Sequence, residues 1–187
     1  SPTNINLVTL VYDSLFLPTD GYTVEPLIGL SHSVNGKMLT VSLDPEALFW
    51  DGTSIEPADV VYSFDLAKES SQYSGRLHNF SSAAAGVGSV TFNLKNEDIF
   101  AANCLSFPIV KYGTGDKDIP TGSGRYTLTK KSGKYTLIAN ENSTRQEEMA
   151  TLHISLSATF RRRREVASPA IMLKDAIIRM SVIIRNV

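Results

Sequence analysis

Apolar residues along this chain recur mostly at every second position, and less often at helical spacing. Residues 37–44 carry Leu39, Val41 and Leu43 on one face, and residues 88–95 carry Val90, Phe92 and Leu94. Leu152, Ile154 and Leu156 repeat the pattern. Each alternation predicts a half-buried strand. Asn35-Gly36 ahead of the first is a hairpin turn signal. Residues 125–130 and 134–139 read as two more strands joined by Ser132-Gly133. Residues 107–110 are a short apolar strand candidate.

Helical spacing appears in three places. Leu7, Leu10, Val11 and Leu15 form a stripe that predicts a short buried helix within residues 7–16. Glu56-Pro57-Ala58-Asp59 opens a second helix. Pro57 suits the first helical position, Asp59 complements the dipole, and Val60, Val61, Phe64 and Ala67 supply the buried stripe. Ser168 and Pro169 begin a last helix with Leu173, Ile177 and Met180 inward. Thr19-Asp20-Gly21 reads as a turn. Residues 81–88 read as a small-residue connector, and residues 113–124 as a loop with four glycines. Strands with a few helices predict an α/β or α+β fold rather than a sandwich.

Composition adds two constraints. The chain has 187 residues, 42% hydrophobic and 20% charged, as in ordinary globular domains. Its net charge of −1 hides a split: residues 1–120 sum to −8 and residues 121–187 to +7. The near-neutral total argues against a nucleic-acid binder. The four arginines Arg161, Arg162, Arg163 and Arg164 lack interleaved aromatics, and a solvated linker explains them better than a basic interface.

Candidate chemistry is sparse. Ser132-Gly133-Lys134-Tyr135 lacks the spacing and hydroxyl of a phosphate loop, and Gly122-Ser123-Gly124 lacks the third glycine of a dinucleotide fingerprint. His32, His78 and His153 stand alone, so no metal site is expected. Cys104, the single cysteine, reads as a small buried side chain. No nucleophile–base set is present, so neither catalytic residues nor cofactors are expected.

One run of motifs is more specific. Phe49-Trp50-Asp51-Gly52-Thr53 followed by Ile55-Glu56-Pro57-Ala58-Asp59-Val60-Val61-Tyr62-Ser63 resembles the "F-x-D-G-T-P-x-x-A-x-D-V-x-x-S" stretch of the family 5 extracellular solute-binding proteins. These are the oligopeptide, dipeptide and nickel receptors of ABC importers. Val11-Tyr12-Asp13-Ser14-Leu15-Phe16 is similar to the family's "l-Y-D-x-L" segment, and Glu25-Pro26-Leu27-Ile28 to its "x-P-x-L-A" segment. Residues 37–43 stand where the family has "G-K-x-y-t-f-x-L". Pro120-Thr121-Gly122-Ser123-Gly124-Arg125-Tyr126 resembles the "P-x-G-T-G-P-Y" turn, with Arg125 in place of proline. After Asn142 the family's "Y-W-x-G-x-P" is absent.

The resemblance implies a partial lobe of the periplasmic-binding-protein type II kind. Residues 1–145 would form the lobe, and residues 146–187 a strand–helix tail leading toward a second lobe outside this chain. It implies a receptor, not an enzyme, that is extracellular or periplasmic and held to the membrane by a lipid anchor outside this sequence. Its partners would be a peptide or other small solute and the permease subunits. The alternative is an interaction or sensor module that keeps the lobe without transport. Asp51, Gly52, Pro57, Asp59, Gly122, Gly124 and Tyr126 are expected to be scaffold residues, with Gly122 and Gly124 supplying positive φ before the hairpin. Tyr73 lies near a family segment that approaches the ligand and is the candidate ligand contact.

Overall fold

Glu56-Pro57 starts its helix as its residue types require. In the computed structural model, which describes residues 7–132, 134–145 and 155–156, helix α2 spans Pro57–Glu69. The Asp59 carboxylate accepts the Glu56 N–H at 2.8 Å, satisfying a donor that the first turn leaves without a helical partner. Val60, Phe64 and Ala67 are buried, as the stripe predicts, and Val61 packs at the edge of the core. A shorter helix, α1, spans Leu7–Val11.

The main sheet is antiparallel with four strands. These are β3 (Gly29–Asn35), β4 (Met38–Leu43), β5 (Phe80–Ala85) and β6 (Ser89–Leu94), in spatial order β3-β4-β6-β5. Gly36, at φ +56, turns β3 into β4. Leu39 pairs with Phe92 and Val41 with Val90, so both predicted alternations present one apolar face. Helix α2 covers that face through β5 and β6. The Phe64 ring lies 5.4 Å from Phe92 and 6.1 Å from Phe80, edge-on or tilted, as aromatic quadrupoles favour.

Two smaller sheets flank this layer. Strands β1 (Phe16–Pro18) and β2 (Val24–Pro26) pair antiparallel. Strands β7 (Tyr126–Lys131) and β8 (Lys134–Ala139) form the expected hairpin, and β9 (Ser155–Leu156) pairs with β8. Leu10, Val11, Tyr126 and Leu137 make a second buried cluster where α1 meets this hairpin. The rest of the strand expected around Leu152 and Ile154, and the helix expected from Ser168 and Pro169, lie outside the described residues.

Four expectations are corrected. The helix within residues 7–16 stops at Val11, because the carbonyls beyond it are taken by other segments. Asp13 O accepts from Ile109, Ser14 O from Ile28, and Leu15 O from Leu27 and Gly29. Residues 81–88 are not a connector, since β5 covers most of them as an edge strand. Its small side chains point largely to water while Phe80 anchors it. Residues 107–110 are buried but form no strand. Pro108 has no N–H, and the neighbouring amides make single bonds: Ile109 to Asp13 O, and Val110 to Ser63 Oγ at 2.9 Å. Gly122 and Gly124 are not at positive φ. A β-carbon on Gly122 would lie 2.4 Å from the Tyr12 ring, and one on Gly124 2.5 Å from the Leu10 carbonyl oxygen. Close approach of two backbones requires glycine there, as in other sites where chain meets chain.

Candidate functional site

The motif residues converge on one seam. Asp51 heads a tight turn, accepting from Thr53 N at 3.1 Å and Thr53 Oγ1 at 2.6 Å. Gly52 completes the turn at φ +79. The free Asp51 oxygen takes Lys111 Nζ at 2.7 Å. Burial pushes the Asp51 carboxyl up, but the bonds from Lys111 and Thr53 outweigh it and hold it below its ordinary value. Asp59, besides capping its helix, accepts the Tyr112 N–H at 2.7 Å. The two motif aspartates therefore grip adjacent residues of one returning segment.

That segment continues to the glycine turn. Trp50 N donates to Gly122 O at 2.9 Å, and Asn142 Nδ2 donates to Trp50 O at 3.2 Å. Buried Asn140 holds the hairpin base, donating to Gly124 O at 2.8 Å. Tyr126, 3% exposed, packs beneath it with Leu10 and Val11. Asp13 and Arg145 form an ion pair across the seam. Beside this pair is a void of about 10 Å³ lined in part by Asp13, Ser123 and Thr144. Its size is about that of one water.

Tyr73 stands apart, beyond the C-terminal end of α2. Its ring belongs to the main core at 8% exposure, and its hydroxyl accepts from Gln72 Nε2 at 3.3 Å. Burial raises its phenol pKa, with the Arg76 charge opposing. Exposed Arg76 donates to Ser106 Oγ at 3.2 Å, leaving guanidinium N–H groups toward solvent. The same cation opposes the rise that burial and then Asp98 impose on the half-buried Cys104 thiol. Tyr73, Arg76 and Ser106 thus form a polar edge above the core. Sequence reasoning singled out neither Arg76 nor Ser106, and no local motif marks them.

The remaining candidates have structural partners. His32 packs edge-on against Phe16 at 5.2 Å, and His78 Nδ1 bonds Gly75 O at 2.9 Å. His153 and Arg161 through Arg164 lie outside the described residues. Among the described residues no cluster of His, Cys, Asp and Glu has the makings of a metal site.

No protein-family model and no curated protein matches the sequence. Solved structures do match. NikZ from Campylobacter jejuni, in complex with Ni(L-His), aligns at a TM-score of 0.62 and 19% identity, over 74% of this chain and 31% of its own. The oligopeptide-binding protein AppA from Bacillus subtilis, in complex with a nonapeptide, aligns at 0.58 and 20%, over 72% and 31%. MoaA from A. tumefaciens R10, in complex with mannopinic acid, aligns at 0.63 and 22%, over 74% and 33%. The fold is the one found in part of these structures. This mixed α/β chain spans about a third of the length of the binding proteins it resembles. They belong to the group that the motif run resembles, and their ligands range from a metal complex to a peptide. No helix among the described residues is long and apolar enough to cross a membrane.

Proposed function

We propose that this chain is part of the extracytoplasmic solute receptor of an ABC importer, and that the solute is a peptide. The reading rests on one coincidence. The motif run from Tyr12 to Tyr126 resembles these receptors in order and spacing, and the fold independently aligns with solved binding proteins at TM-scores of about 0.6. In such a receptor two lobes close on a solute by hinge motion, and the closed form engages the permease. The receptor would lie outside the cytoplasmic membrane, held there by a lipid anchor beyond this sequence.

Tyr73 and Arg76 are the residues assigned to the solute. Arg76 offers a charge-assisted fork to a peptide carboxylate, and the Tyr73–Gln72 pair offers neighbouring hydrogen bonds. Asp51, Gly52, Pro57, Asp59, Gly122, Gly124 and Tyr126 build the lobe and do not touch solute.

Uptake measurements test this. Cells lacking the gene are expected to take up labelled peptides more slowly, with the rate restored by the gene and not by an Arg76→Ala variant of equal abundance. Unchanged peptide uptake sinks the peptide assignment, and a loss confined to nickel transfers it to a metal complex. In calorimetry the 187-residue chain is expected to bind peptides more weakly than micromolar, because the cleft needs both lobes.

A further inference from the structure

Beyond solute handling, one end of the molecule carries a preorganised aromatic surface. Strand β1 packs against the helical turn Ala101–Cys104, and Tyr22 meets Phe100 and Asn103 there. Tyr22 sits there at φ +61, a left-handed conformation that side-chain-bearing residues seldom adopt. The surroundings enforce it. Asn103 Nδ2 donates to Tyr22 O at 2.9 Å, the Thr19 and Thr23 hydroxyls are 2.6 Å apart, and Thr23 Oγ1 donates to Asp20 O at 3.1 Å.

The strain has a visible result. It lays the Tyr22 ring 5.4 Å from Phe100 while leaving Tyr22 74% exposed. Phe100 is 50% exposed and Ile99 72%. A backbone held in a sparsely populated region to keep an aromatic ring in water is the opposite of core packing, and such strain clusters at functional surfaces. The two segments that meet carry charge of one sign, with Arg76 the cation beside them at Ser106. Residues 13–36 and 96–110 contain no Lys or Arg, and Asp20, Glu25, Glu97 and Asp98 lie on the two segments that meet.

We infer that this surface docks a partner protein through a segment carrying Lys or Arg among apolar side chains. The rings offer faces to apolar groups and to cations, and the carboxylates steer and pair the charges. A wholly apolar partner would strip water from these carboxylates without compensation. A second copy of the same face would set like charges against each other, as would an anionic membrane.

Amide spectra of the ¹⁵N-labelled full chain, titrated with a short synthetic peptide of Leu and Lys, test this. Saturable shifts confined to residues 17–25 and 97–104 are expected. Tyr22→Gly accommodates the positive φ without its ring, so the fold should persist while affinity falls at least about tenfold, as for an interface hot spot. Ile99→Ser, which removes an exposed side chain, is expected to weaken binding as well. Asp20→Asn with Asp98→Asn should weaken binding and flatten its salt dependence. The proposal is overturned if a Lys–Ser peptide of equal charge binds as tightly, if shifts spread over the acidic surface, or if both Tyr22→Gly and Ile99→Ser leave affinity unchanged. It is also overturned, in favour of self-association, if the same amides shift with protein concentration alone and sedimentation gives a doubled mass.

Discussion

Asp13 and Arg145 are 132 residues apart in sequence and form an ion pair with the Asp13 side chain almost wholly buried. The contact ties the segment after the hairpin back to the chain leaving α1. It also crosses between the two hydrophobic clusters, since Val11 belongs to one and Leu15 to the other. Arg145→Ala removes a guanidinium paired with a buried carboxylate, and breaking a buried pair typically costs about 3 kcal/mol. Urea denaturation should show that loss, and an effect under about 1 kcal/mol, the range of exposed pairs, would mean that water already screens the contact.

Glycines serve this fold in two ways that mutation separates. Gly124→Ala places a methyl 2.5 Å from the Leu10 carbonyl oxygen and the Val11 carbonyl carbon, both backbone atoms that cannot rotate away. Overpacking of this kind costs about 1–3 kcal/mol or more. Gly113 sits at φ +72 with open space around it, so Gly113→Ala costs only the left-handed strain of about 1–2 kcal/mol. Denaturation midpoints of the two variants should rank Gly124→Ala as the more damaging, with shifted hairpin amides in its spectrum alone.

Asp51 gives the expected pH dependence. Its carboxyl is held below its ordinary value in the folded chain, so folding favours the ionised form. The associated stability is present above the unfolded pKa of about 3.9 and disappears as pH falls through the lower folded value. The carboxylate is exposed, so Asp51→Asn should cost less than about 1 kcal/mol at neutral pH. Denaturation curves of the two proteins should separate at pH 7 and coincide in acid below both values. A gap that persists in acid would assign the effect to the turn geometry rather than to the Lys111 ion pair.

Local patterns were readable where one physical rule acts alone. The β4 and β6 alternations, the Pro57 start of α2 and the β3–β4 and β7–β8 hairpins follow from side-chain period, dihedral preference and turn chemistry within a few residues. The elements that went unseen or were misread depend on partners elsewhere. Strand β5 carries serines and alanines that no propensity favours, and it exists because β6 offers a ladder. Strand β3, mostly polar on both faces, exists because β4 folds back on it. Residues 107–110 have strand composition, but Ser63 and Asp13 claim their amides first.

The candidate site divides the same way. Asp51, Gly52, Pro57 and Asp59 were identifiable because their turn and cap chemistry is complete within one stretch of sequence. Lys111, Arg145 and the Arg76–Ser106 pair were not, because each gains its role from a residue between 30 and 132 positions away. The sequence by itself determined the mixed α/β class, since side-chain period and local dihedral preference act within a few residues. Only the tertiary structure decided why Gly122 and Gly124 are needed, how the charges pair, and that Tyr22 is held out beside Phe100. Those outcomes depend on which distant backbones come within a few ångströms, a quantity that no local pattern encodes.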